Sequence, residues 1–243
     1  MNKNNLIFGA AVIVVIVLIS AGVWYGLKDK SAANGNIGGV ATLDESVPAP
    51  SLDREVTAPE YFPQEAKDIL LANIADAKGR IEENPGDLSS WLDLAIFYKT
   101  AEDYEGAEAI WLYINKAAEG QSISAHNLGD LYHLYLKDYK KAEGQFREAL
   151  RRNPGQTFTY AALHELYRYS YKTDTNLAVD VIMEGLQVDP GAIDLMKLLA
   201  GYYKDRGENA KAIEWFEKAR DAADARGNAD LGKQMQTEID ALR

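Results

Sequence analysis

The chain contains no cysteine, which excludes thiol nucleophiles, thiolate-bound zinc, iron–sulfur clusters, disulfides and an acyl-cysteine lipid anchor, and leaves the redox compartment open. Positive charge is in deficit: 26 Lys and Arg stand against 37 Asp and Glu, a net charge of −11. Beyond residue 30 the balance is 23 basic against 36 acidic, and a body that acidic repels phosphate, which argues against a general nucleic-acid binder. No glycine-rich phosphate loop follows a strand-like segment, and no convincing strand pattern occurs at all. What remains is 243 residues, 47% hydrophobic and 26% charged, enough for one large or two small globular domains with a real core.

One long apolar run exists. Residues 6–27, LIFGAAVIVVIVLISAGVWYGL, carry no charge, and as a helix they reach about 33 Å, enough for a hydrocarbon core of about 30 Å. Trp24 and Tyr25 fall near the end of the run, where amphipathic rings suit the headgroup layer, and Lys28 and Lys30 come next. A cleaved signal peptide is the alternative, but its apolar region is usually about 7–15 residues and ends at a small-x-small site. No Ala-x-Ala site stands directly after this run, so the preferred reading is an uncleaved, single-pass membrane anchor. Basic residues on its two sides nearly balance; the short head of residues 1–5 is expected to stay cytoplasmic, which puts the body on the extracytoplasmic side. Residues 28–62 are rich in Pro and Gly and lack periodicity, which predicts a flexible linker averaging about 30–35 Å end to end.

From residue 63 the apolar residues take helical spacing, beginning with Leu70, Ile74, Ala77 and Ile81. Asn84-Pro85-Gly86 recurs as Asn153-Pro154-Gly155 and Asp189-Pro190-Gly191, with prolines 69 and 36 residues apart. A period near 34 with small insertions marks a repeat protein. Aligned on the prolines, one unit reads Trp91, Leu94, Ala95, Tyr98, Ala107, Trp111, and the next Leu128, Gly129, Tyr132, Ala142, Phe146, Ala149. A third reads Tyr160, Leu163, Tyr167, Ala178, Ile182, and a fourth Met196, Leu199, Ala200, Tyr203, Ala212, Phe216. This alternation of large and small residues resembles the tetratricopeptide repeat, a helix–turn–helix unit, over residues 84–225.

The resemblance implies an all-α, right-handed solenoid of about four helix pairs with flanking cap helices, preceded by one transmembrane helix and the linker. Units are expected at about 88–121, 122–156, 157–192 and 193–226 within a domain of residues 63–243, closed by a cap helix over 229–242. A lone pair cannot bury both its apolar faces, so neighbours must stack. One residue is inserted between Tyr132 and Ala142 and two between Tyr167 and Ala178, both expected in turns between paired helices. The proline expected near Glu119 is absent, and His164 stands where Gly or Ala is usual.

His126, Asp130 and His133, at i, i+4 and i+7, form the one cluster with metal-ligating chemistry. Histidines seven apart on a helix are about 10 Å apart along its axis, too far to share one ion easily, so no metal, cofactor or catalytic group is assigned. The family's groove positions, carried over, give Lys99, His126, Asp130, His133, Glu165, Arg168, Lys197 and Lys204 as polar contacts, with Phe158 and Tyr169 as apolar anchors. Family members that clamp a C-terminal carboxylate carry Lys and Asn on the first groove helix, where this chain has Leu92 and Ile96. The expected function is a non-enzymatic, membrane-tethered scaffold that holds a protein or peptide in its concave groove and serves assembly or localisation of an envelope complex. The stretch Ile81–Ala107 also resembles segments of bacterial cytochrome c maturation proteins, a narrower version of that role; an enzyme with a site on the groove is the reading of a different class.

Overall fold

The computed structural model describes residues 43, 44 and 46–243. The expected membrane anchor at 6–27 lies outside them, and among the described residues no helix is long and apolar enough to cross a membrane. Those residues form ten α-helices and no strand, in two compact units that divide between Gly120 and Gln121.

Unit 1 holds α1 (Gln64–Glu83), α2 (Leu88–Thr100) and α3 (Tyr104–Ala117). The stripe Leu70, Ile74, Ala77, Ile81 is the buried face of α1, as its spacing predicts. Asp87 caps α2 by accepting from the Ser89 N–H, and Asp103 caps α3 by accepting from the Gly106 N–H at 3.0 Å. Trp91 and Trp111 are fully buried between the helices, and the Trp91 indole donates to the Pro85 carbonyl at 3.0 Å.

The expectation of a bare tether over 28–62 does not hold for the described part of that segment. It has no helix, but from Leu43 to Phe62 it is strapped onto unit 1. Leu43 is buried, and the Asp44 N–H donates to the Ala117 carbonyl at the end of α3. At the other end of α3, Arg54 forks onto Asp103 at 2.5 and 2.6 Å and reaches Glu105 at 3.1 Å. Lys78 of α1 donates to the Arg54 carbonyl, and the Tyr61 hydroxyl donates to Glu102. The seat is cut to fit: a Cβ on Gly106 would stand 2.8 Å from Arg54 Nε and 2.6 Å from the Tyr98 ring. These pins join residues 24 to 73 apart in the chain, which local composition cannot announce.

Unit 2 holds three helix pairs and a last helix: α4 (Ile123–Asp130) with α5 (Tyr139–Arg152), α6 (Thr157–Tyr169) with α7 (Leu177–Val188), α8 (Ile193–Asp205) with α9 (Asn209–Ala225), then α10 (Ala229–Ala241). Small residues let paired helices close up: a Cβ on Gly129 would overlap the Phe146 ring. Met235 and Ile239 of α10 are buried.

The insertion before Ala142 is a second correction. It sits inside the first helix, as a π-helical turn over Leu131–Tyr135 in which the Leu136 N–H reaches the Leu131 carbonyl five residues back. The reversal into the second helix is of ordinary form. Glu102 and Gly207 take positive φ four residues after Tyr98 and Tyr203; Lys137 does so five residues after Tyr132. In the third pair Lys172 likewise takes positive φ five residues after Tyr167, and the second extra residue falls in the loop before α7.

Candidate functional site

The first helices of the pairs in unit 2 touch in succession, α4 to α6 through His126 with Thr159 and Phe158, and α6 to α8 through Arg168 with Tyr202 and Asp205; nine of the ten sequence-predicted site residues belong to this unit. Lys99 belongs to unit 1, where its ammonium lies 6.0 Å from the Trp111 ring centre.

Phe158 and Tyr169 stand eleven residues apart on α6, about three full turns, so they project from one side of the helix. They are 45% and 65% exposed, unusual for large aromatics on a packed helix. Phe158 meets the His126 ring edge-on at 4.6 Å. His126 is held by Asp130 at 3.4 Å on Nε2 and by the Thr159 hydroxyl at 3.1 Å on Nδ1. Behind Thr159 the chain of hydrogen bonds continues: the Gln156 amide donates to Thr159, and the Ser122 hydroxyl donates to Gln156 at 2.5 Å.

Asp130, His126 and Thr159 have the order of a nucleophile triad. Thr159 is 0% exposed, however, and its oxygen already accepts from Gln156, so no substrate carbonyl can approach it. The relay ties α4 to the start of α6. His133 is withdrawn from the face altogether: it is buried, and Nε2 meets the Ser170 hydroxyl at 2.9 Å. The π turn explains this, since one extra residue per turn rotates the rest of the helix relative to the α-helical register on which its groove position is counted. Burial lowers its pKa, with Lys137 acting the same way and Asp130 opposing. Among the described residues no group of three His, Cys, Asp or Glu is placed to hold a metal ion.

Arg168 pairs with Asp205 of α8, and its guanidinium lies between the Tyr169 ring at 4.8 Å and the Tyr202 ring at 5.4 Å. Lys197 leans on Asp194 at 3.4 Å, Lys204 reaches Glu238 of α10 at 2.6 Å, and Glu165 is exposed. The face therefore carries aromatic anchors among charges that are largely neutralised locally. Spacing alone does not single out Asp205, Tyr202, Thr159 or Gln156, because residues that serve another residue's polar group follow no periodicity of their own.

Residues 124–156 match the tetratricopeptide repeat family, and no curated protein matches the chain. A crystal structure of MamA is similar at TM-score 0.52 and 16% identity, covering 68% of this chain and 94% of that one. A second MamA crystal structure gives 0.51 and 16%, covering 68% and 88%. A structure described as the functional characterisation of Pseudomonas aeruginosa pilF gives 0.52 and 12%, covering 73% and 86%. Identity this low speaks for the fold alone: helix pairs of the tetratricopeptide-repeat type.

Proposed function

We propose that this chain is a membrane-tethered scaffold, with residues 6–27 as its anchor and the repeat body on the extracytoplasmic side, and that the face of α4, α6 and α8 holds a segment of a partner protein. The tether would keep that partner beside the membrane, in assembly or localisation of an envelope complex. The observation that carries the reading is the pair Phe158 and Tyr169. Two large rings kept in water on one side of one helix lose the burial that the rest of the fold secures for its aromatics, and a ligand restores it. An extended segment or a helix spans their three-turn separation, and the mixed, locally paired charges around them suit a polypeptide better than a polyanion.

The test is crosslinked capture from solubilised membranes by the full chain, then affinity measurement on the partner recovered. Phe158→Ala and Tyr169→Ala are each expected to weaken binding by about 5- to 30-fold, as aromatic hot spots do, with helicity unchanged. Affinities within about twofold of the parent in both variants would remove the face from the function. Arg168→Glu is a poorer probe, because it sets two carboxylates against each other at Asp205 and disturbs the fold as well as the surface.

A further inference from the structure

Each first helix of unit 2 turns into its partner at one edge of the unit, over residues 134–141, 168–174 and 202–211. The turns are in mutual contact. Tyr139 lies 6.3 Å from Tyr171, Lys172 binds Glu143 at 2.7 Å, and Arg168 spans to Tyr202 and Asp205. In a chain of net charge −11, these three stretches hold eight basic residues against four acidic ones, and six tyrosines; Glu143 and Glu238 of adjoining helices pair with Lys172 and Lys204, and Lys137 and Lys140 are exposed. Several of the cations lie over tyrosine rings, including Lys172 over Tyr171 and Lys211 over Tyr203, both at 4.9 Å. The corresponding turn of unit 1, residues 98–105, carries one basic and three acidic residues.

The π turn adds an apolar element. Leu134 and Leu136 are 48% and 41% exposed, with Lys137 and Lys140 close behind in the chain. Leucine beside lysine, backed by tyrosine, is the composition of a surface that rests in a headgroup layer: the apolar tips enter the acyl boundary, tyrosines take the interface, and cations meet lipid phosphate. A strand of nucleic acid would give the leucines nothing to enter.

We infer that the edge of unit 2 formed by Leu134, Leu136, Lys137 and Lys140 is a docking surface for anionic membrane lipid. Its occupant is the bilayer that holds the anchor, so the inference rests on residues 6–27 being one. The 15 residues from Lys28 to Thr42 cannot span more than about 50 Å, which keeps the body within reach of that bilayer. Contact would fix the orientation of unit 2 above the membrane and present the Phe158–Tyr169 face to partners at a constant height.

Because the chain has no cysteine, Leu136→Cys places a single reporter thiol on the edge of the otherwise intact protein. Carrying a nitrobenzoxadiazole label and reconstituted in nanodiscs, it is expected to shift to the blue and brighten about twofold or more in phosphatidylglycerol over phosphatidylcholine. About 0.5 M salt should weaken the response, and Lys137→Glu with Lys140→Glu should abolish it. A label at Val188→Cys, exposed on the opposite edge, is the control and should not respond. Equal emission in the two lipids, an equal response at both labels, or a response to single-stranded RNA but not to anionic lipid overturns the inference. Flotation with neutral vesicles reads the anchor separately. A chain that fails to float counts against the anchor, and the same labelled chain mixed with anionic vesicles then still reads the edge.

Discussion

His164 occupies a position where the repeat ordinarily has glycine or alanine, and the structure shows what the larger side chain does there. It is 1% exposed, Nδ1 donates to the Ala178 carbonyl at 2.7 Å, and Nε2 has no hydrogen-bond partner among the described residues. Burial holds its pKa below the ordinary value near 6.5, with Arg168 adding to the effect and the Ala178 carbonyl opposing it; His133 is lowered by burial too. Both imidazoles are neutral in the fold, and unfolding releases them to take up protons below about pH 6.5. Their contribution to stability is therefore fully present above that pH and declines as the medium is acidified through it. The expected result is a lower melting temperature at about pH 5.5 than at about pH 7.5, with a smaller gap in His164→Ala; an undiminished gap would acquit His164. Gly129 makes the opposite demand. Gly129→Ala drives a methyl into the Phe146 ring and should cost about 1–3 kcal/mol in chemical denaturation.

At the scale of elements, Trp111 is wholly buried on α3, and Trp111→Ala should destabilise by about 3–5 kcal/mol; a loss below about 1 kcal/mol would mean that the α3 packing is misassigned. The stripes that bury α1 and the signature aromatics of the pairs are legible in the sequence, because burial imposes a helical period on apolar residues. The π turn is not. Spacing between Tyr132 and Ala142 counts one extra residue, and a count does not say whether a surface turn or a helix absorbs it. The strap escapes a local reading for a related reason: Pro48, Pro50 and Pro59 fit the absence of a helix over the described residues 46–62, but Arg54, Tyr61 and Lys78 find partners that no local pattern predicts. Of the candidate site, Phe158, Tyr169 and Arg168 are legible from repeat register, whereas the burial of His133 depends on the π turn and is as illegible as that turn. Arg54→Ala removes three hydrogen bonds to carboxylates and should make residues 46–58 the first site of limited proteolysis, with the helices intact by circular dichroism.

For the whole molecule, charge is distributed by region rather than by average. A net −11 conceals a basic, tyrosine-rich edge in unit 2 and an acidic turn in unit 1 whose Asp103 and Glu105 hold Arg54. Every buried stripe of the described helices begins after Pro63, so deleting residues 1–42 should leave a folded, helical body; loss of the cooperative melt would show that the leading residues stabilise it. The strap also has a mechanical meaning. It runs antiparallel to α3, from Leu43 beside the C-terminal end of that helix to Arg54 at its N-terminal end. Tension entering through the residues before Leu43 therefore does not pull directly on the first turn of α1. It meets the bond from Asp44 to Ala117 first, then Arg54 with its fork on Asp103 and its carbonyl on Lys78, then Tyr61 on Glu102, and only after these have parted does the load reach the helix core. The strap is a strain relief: a fitting that gives way in stages, protecting the repeat from motion of whatever holds its leading end.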